Sequence, residues 1–188
     1  MKQIAVIFGL AVLLAGCASA PMPAPIATFD NAQTARKLPM QFQVGKFEKS
    51  STLSDAANSS VNVRALALSA QAYGSYANYL RETLITDLRA SNMLADNAPW
   101  TITGTLMENT MGSPATTGYG HLAARWVVSS AKGVCYDKTL EIDETWPSSM
   151  IGAVAIPRTA RKYSAMHSRL VGKFLADPSL AKDCASAQ

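Results

Sequence analysis

The side chains suited to acid–base catalysis are few in this sequence and lie mostly in one stretch. Glu141, Asp143 and Glu144 cluster just before Trp146, and paired carboxylates beside an aromatic ring are typical of glycoside hydrolases. His121 is a further candidate acid or base. Because Glu141 and Asp143 alternate along a predicted strand, we expect both on its polar, solvated face. A cell-wall hydrolase is therefore the alternative function and not the leading one.

Other patterns that indicate catalysis or metal binding are weak. Ser129–Lys132 and Ser179–Lys182 match the S-x-x-K motif of penicillin-binding proteins, but one falls in a predicted turn and the other in the C-terminal tail. His121 and His167 lie on different predicted elements, with no cysteine or acid at zinc-ligand spacing. The glycine motifs of phosphate loops and nucleophile elbows do not occur in the sequence. We predict a protein that is not an enzyme and needs no metal or other cofactor.

The first sixteen residues have the composition of a secretory signal peptide. Lys2 gives a positive start, Ile4 to Leu14 form an apolar run, and the small residues Ala15 and Gly16 follow. A helix that spans a bilayer needs about 20 apolar residues, so this run is too short. We predict that residues 1–16 are a signal peptide that is removed.

The predicted cleavage site closely resembles the lipobox of bacterial lipoproteins. It reads Leu14-Ala15-Gly16-Cys17. The resemblance implies that Cys17 is acylated, for example with palmitate, and that two or more acyl chains hold the protein in a membrane. Ala18 stands where an aspartate favours retention in the inner membrane in some bacteria. The resemblance thus implies a lipid anchor on the periplasmic face of the outer membrane.

Once Cys17 is acylated, two thiols remain, Cys135 and Cys184. Two thiols in an oxidising compartment such as the periplasm favour a disulfide bond. This bond would attach the C-terminal tail, residues 177–188, to a predicted strand.

The segment between the anchor and the first predicted strand is rich in proline and alanine. We predict that residues 17–39 are the lipidated cysteine and an extended tether. The formal net charge is +4, of which Lys2 supplies one, and no run of Lys or Arg occurs. This weak charge gives no support for nucleic-acid binding.

Hydrophobic periodicity predicts one periplasmic domain over residues 40–176. The best helix covers residues 69–91, with Ser69 as its N-cap, and a final helix begins near Pro157. Loops at 49–62 and 109–119 are long enough to be mobile. Alternating apolar residues predict four strands, at about 40–48, 100–106, 122–128 and 134–142. The order β-α-β-β-β-α predicts a two-layer α+β fold, with a mainly antiparallel sheet and two helices on one face.

This layout, with the lipobox, resembles a loose group of envelope proteins. The group includes LpoB, the N-terminal domain of TolB, CsgG and the auxiliary lipoproteins of envelope ABC transport systems. The resemblance rests on element order over residues 40–176 and on the phrase Leu88-Arg89-Ala90-Ser91-Asn92-Met93-Leu94 before a strand. It implies a non-catalytic binding or adaptor module for an envelope protein complex. A lipid-transport auxiliary subunit, which would need an apolar cavity between sheet and helices, is a further alternative.

The segment from Trp146 to Pro157 is the most unusual part of the domain. It is apolar and uncharged, and it connects a strand to a helix. Either its own domain covers it, or it offers an apolar surface to a partner. We predict that Trp146, Met150 and Ile151 bind that partner, because aromatic and flexible apolar side chains anchor interfaces.

Overall fold

Alternating apolar side chains build the main sheet of the protein, whose computed structural model describes residues 19–186. This sheet has the order β2-β5-β6-β7, with β2 parallel to β5 and the other pairs antiparallel. Its strands are β2 (Phe42–Lys49), β5 (Trp100–Gly112), β6 (Thr117–Ser130) and β7 (Gly133–Pro147). The predicted α+β class is confirmed.

Two helices, α3 (Tyr76–Ala90) and α4 (Gly152–Leu175), pack on one face of this sheet. The indole of Trp126 stacks on Phe174 of α4 with ring centroids 4.5 Å apart, and Phe47 meets its edge at 5.6 Å. Large buried side chains therefore fill the space between sheet and helices. No helix of residues 19–186 packs on the other face of the sheet, and we call it the open face.

Local capping residues set the ends of α3. Ser75, and not the predicted Ser69, caps its start by accepting a hydrogen bond from the backbone N–H of Asn78 at 3.1 Å. Residues 71–73 form a separate 3-10 helix, which ends at Gly74 with φ of +81°. At the other end Asn92 takes φ of +59°, and the N–H of Met93 donates to the carbonyl of Leu88 at 2.9 Å. This arrangement is a Schellman cap, so the predicted end of the helix was placed correctly.

The predicted tether is wrong for most of its length, because the chain is folded from Ser19 onward. β1 (Ser19–Pro21) adds a parallel strand to a small sheet of order β1-β4-β3, with β3 at Ser60–Val63 and β4 at Leu66–Ser69. The side chain of Met22 is buried, and α1 (Phe29–Ala35) packs against α3 and α4. Proline is tolerated in a short edge strand, so proline content did not distinguish this segment from a linker.

Both predicted mobile loops are largely regular structure. Residues 49–62 contain α2 (Asp55–Ser59) and the start of β3. Strands β5 and β6 extend through most of 109–119 and leave only a short turn at 113–116. Their cross-strand ladder supplies the hydrogen bonds that glycine and proline content alone could not predict.

The C-terminal part also differs from the prediction. Helix α4 begins at Gly152, so Pro157 lies inside it and not at its first position. Pro157 has no N–H and cannot donate the helical hydrogen bond at its position. Burial of Ala155 and partial burial of Ile156 compensate for the loss of that bond. The predicted tail is the helix α5 (Pro178–Ser186), whose Leu180 and Cys184 are fully buried.

Candidate binding surfaces

Of the candidate acid–base side chains, Glu144 is on the helix side of the main sheet, paired with Arg169 of α4, and the others lie on the open face. His121 on β6 is hydrogen-bonded through Nδ1 to Asp143 on β7 at 2.8 Å, and its Nε2 lies 3.2 Å from a carboxylate oxygen of Glu108 on β5. Glu141 is on the same face and exposed. The strand register explains this grouping, because His121 stands directly opposite Asp143.

These side chains form a row across the open face of the sheet and do not line a cleft. Glu108, Asp143 and Glu141 are exposed, so water competes for each of their hydrogen bonds. General acid–base catalysis needs a group held against a substrate in a pocket that excludes water. Among residues 19–186 no group of three His, Cys, Asp or Glu side chains is arranged to hold a metal ion.

The S-x-x-K serines are also engaged in structural contacts or open to solvent. Ser179 begins α5, and its hydroxyl accepts a hydrogen bond from the ammonium group of Lys138 at 2.7 Å. The same ammonium group is bonded to Asp177 at 3.2 Å. Ser129 lies on the open face, opposite Thr101 and beside the β6–β7 turn. Ser179 therefore has a structural contact, and Ser129 lies on the solvent side of the sheet.

Trp146 is buried, so the prediction that it binds a partner directly is wrong. Its side chain is 2% exposed and lies on Gly118 and Gly120 of β6, where a Cβ at Gly118 would meet the indole ring. The indole N–H donates to the hydroxyl of Thr159 on α4 at 3.3 Å. The two glycines of Gly118-Tyr119-Gly120 leave room for this ring, and Gly118 falls in the stretch 109–119 that the sequence predicted as a loop.

Met150 and Ile151 are exposed, at 81% and 64%, and Val154 in the first turn of α4 adds to the same patch. The connection that carries them is fixed by Arg64, which lies in the β3–β4 turn. The Arg64 guanidinium donates to the carbonyl oxygens of Met150 at 2.9 Å and Ser113 at 3.1 Å. We call the surface formed by the turn at 64–65, the turn at 113–116 and the connection 148–151 the anchor end.

A groove of about 530 Å³ lies between the N-terminal segment 23–31 and helix α4. Its lining combines apolar side chains, among them Pro23, Ile26 and Ala165, with the charged residues Asp30, Arg161 and Arg169. Ile26 is 78% exposed and Phe29, on the same segment, is 75% exposed. The sequence analysis missed this site, because it assigned residues 23–31 to the tether.

A buried carboxylate holds the groove in shape. Asp87 on α3 accepts hydrogen bonds from the backbone N–H of Thr28 at 2.9 Å and from the side-chain amide of Asn31 at 2.7 Å. The same amide donates to the carbonyl of Ser168 on α4 at 2.8 Å. Burial raises the pKa of Asp87, and the hydrogen bonds from Asn31 and Thr28 oppose that shift. The side chain of Asn31 thus connects the N-terminal segment to both α3 and α4.

The predicted disulfide joins Cys135 on β7 to Cys184 on α5, with Cα atoms 4.9 Å apart. It covers one end of the edge strand β7, where the hydroxyl of Tyr136 donates to Asp177 at 2.9 Å. Cys17, the predicted acylation site, lies outside the described residues. None of the helices within residues 19–186 is long and apolar enough to span a membrane.

Comparison with models of protein families and with curated proteins finds no match to this sequence. Solved structures do resemble the fold. A DUF330-family protein from Xanthomonas campestris has a TM-score of 0.61 at 9% identity, with 90% of this chain and 99% of that chain covered. Rare lipoprotein B from Shewanella oneidensis has a TM-score of 0.45 at 10% identity, with 77% and 98% covered. A minor lipoprotein from Acinetobacter baumannii has a TM-score of 0.41 at 12% identity, with 76% and 92% covered. Similarity to the Xanthomonas protein at this identity shows a shared fold.

Proposed function

We propose that this protein is a lipid-anchored, non-catalytic binding module of the bacterial envelope. Acyl chains on Cys17 hold it on the periplasmic face of the outer membrane, and it recruits a protein of an envelope complex. The observation that carries the proposal is the groove between segment 23–31 and α4, which the exposed Ile26 lines, with Phe29 exposed on the same segment. Large apolar side chains this exposed, on a segment held by a buried network, are typical of a binding site.

The chemistry of the groove indicates the kind of partner. Its alkyl lining suits an apolar side chain. Arg161 on the α4 wall suits a carboxylate that binds away from Asp30 on the opposite wall. Because Asp87, Thr28 and Asn31 already hold the groove in shape, little ordering is needed when the partner binds. We therefore propose that the groove binds an apolar, acidic segment of an envelope protein.

The two alternatives find less support in the geometry. A hydrolase would need His121, Asp143 or Glu141 in a cleft, and these side chains lie on the open face of the sheet. A lipid-transport subunit with its cavity between sheet and helices would need space that Trp126 and Phe174 occupy.

Acylation is tested by growing cells with labelled palmitate. We expect label in the wild-type protein and none in Cys17→Ser, because the lipobox thiol is the acceptor. Wild-type protein without label, or equal label in both, would contradict the lipid anchor.

The binding groove is tested by photo-crosslinking in living cells. A crosslinking amino acid at Ile26 or Phe29 should capture one discrete envelope protein, and one at the exposed Thr139 of the open face should not. Ala165→Arg should abolish the capture by filling the groove, with little change in melting temperature because Ala165 is on the surface of α4. Identical products from Ile26 and Thr139 would refute the groove as the binding site.

A further inference from the structure

The start of the described chain, two residues after the predicted acylation site in the sequence, lies beside the anchor end. β1 runs parallel to β4, and Ser19 pairs with Ala67, just after the turn at Arg64–Ala65. From Pro21 back to Ser19 the strand therefore runs toward that turn. Ser19, the first described residue and the second after Cys17 in the sequence, therefore stands at the end of β1 that is nearer the anchor end.

The surface of the anchor end is apolar and almost free of charge. Met150, Ile151 and Val154 are exposed there. Arg64, whose guanidinium is bound to backbone carbonyls, is the charged residue of this end, and the sequence carries no Asp, Glu, Lys or Arg in 109–120 or in 145–157, the other stretches that build it. Tyr119 is half exposed and stands opposite Thr145, close to the same end. Tyrosine is favoured where an apolar phase meets water, because its ring is apolar and its hydroxyl is polar.

Basic side chains stand directly behind the apolar patch. The sequence has no acidic residue between Glu144 and Asp177, so helix α4 carries positive charge only. Arg158 follows Val154 by one turn, about 6 Å along the helix axis, and Lys162 follows one turn later. Lys162 is exposed and Arg158 is partly exposed. A headgroup layer is about 5–8 Å thick, so with Val154 below the layer Arg158 lies within it. Lys162 is about 12 Å from Val154 along the axis, and its long side chain can reach back to the outer edge of the layer.

We propose that the anchor end is a membrane-inserting surface. Met150, Ile151 and Val154 enter the outer part of the same leaflet that holds Cys17, and Arg158 and Lys162 contact anionic lipid headgroups. The inference rests on the proposed acylation of Cys17. It fixes the orientation of the domain, because β7 runs from the membrane side at Pro147 to the β6–β7 turn roughly 45 Å away. The part of the binding groove lined by Ser164 to Arg169 then lies beyond the headgroup layer.

The test uses the full acylated protein in vesicles of phosphatidylethanolamine and phosphatidylglycerol. Met150→Cys and Ile151→Cys each receive an environment-sensitive bimane label, and Lys132→Cys in the distal β6–β7 turn is the matched control. Cys135 and Cys184 do not compete for the label, because they form the disulfide. All three label positions are exposed, so the variants should fold alike.

We expect the labels at 150 and 151 to shift their emission to the blue on reconstitution. They should lose quenching by aqueous iodide and gain quenching by nitroxide-bearing lipid, whereas the label at 132 should do neither. Replacing Arg158 and Lys162 by glutamine should reduce the shift at 150 in these vesicles, because the contact with anionic lipid is lost. An unchanged shift in that double variant would refute the headgroup contact.

Two failures are distinguishable on the same samples. Labels at 150 and 151 that iodide quenches as fully as the label at 132, in protein shown to be acylated, would refute membrane insertion and leave the lipid anchor standing. Protein that mass spectrometry shows without acyl chains would contradict the anchor and, with it, this inference.

Discussion

Acidification should destabilise this protein through one buried histidine on α4. His167 is fully buried, and its Nδ1–H donates to the backbone carbonyl of Tyr163 at 3.0 Å, whereas no described residue pairs with its Nε2. The rings of Tyr76, Tyr79 and Tyr163 surround it with centroids 4.9 to 5.8 Å away. Burial lowers the pKa of His167 from 6.5 to about 4, because a charged imidazolium would lose its hydration there.

The sign and size of the effect follow from proton linkage. Between pH 6.5 and about 4 the unfolded chain binds a proton at His167 that the folded protein does not. The stability that depends on neutral His167 is therefore fully present above pH 6.5. It is lost progressively as the pH drops through this window. From pH 7.5 to pH 5 the loss attributable to His167 is about 2 kcal/mol, since one pKa unit corresponds to about 1.36 kcal/mol.

The assay is urea unfolding of the wild type and of His167→Phe at pH 7.5 and at pH 5. The variant keeps a planar ring among the tyrosines and cannot titrate, so other groups such as Asp87 contribute equally to both proteins and cancel. We expect the wild type to lose about 2 kcal/mol more than the variant on acidification. Equal losses, or an NMR titration that shows His167 charging near pH 6.5 in the folded protein, would refute the reasoning.

Three further predictions concern residues whose roles the structure has defined. Trp146→Ala should lower the free energy of unfolding by about 3–5 kcal/mol, and the exposed Met150→Ala by less than about 0.5 kcal/mol, in denaturant titrations; equal effects would contradict the burial of Trp146. Cys184→Ser should reduce stability by up to about 4 kcal/mol, because the disulfide closes a loop of about fifty residues; a reduced wild type as stable as the oxidised one would contradict this. Asp87→Ala should leave the N–H of Thr28 unpaired and speed hydrogen exchange over residues 28–35; unchanged exchange there would show that Asp87 does not hold this segment.

Local sequence patterns determined much of the architecture. Alternation of Trp100, Ile102, Gly104 and Leu106 defined a strand, and apolar steps of three and four defined α3. These signals work because the side-chain period of each element decides which residues can share a buried face. The Cys135–Cys184 pairing also followed from the sequence, since the predicted acylation of Cys17 leaves two thiols and one possible bond.

Other parts of the protein were decided only by tertiary contacts. Segment 19–35 has the composition of a linker, yet the pairing of β1 with β4 and the hydrogen bonds to Asp87 make it part of the fold. Trp146 and Met150 lie in the same apolar segment, yet Trp146 is buried and Met150 is exposed. Two glycines on β6 leave room for the indole ring, and Arg64 holds the connection at the surface. Composition indicates which side chains are apolar. Residues distant in sequence determine whether such a side chain is buried. The groove and the anchor end both depend on such neighbours, so neither could be derived from the sequence.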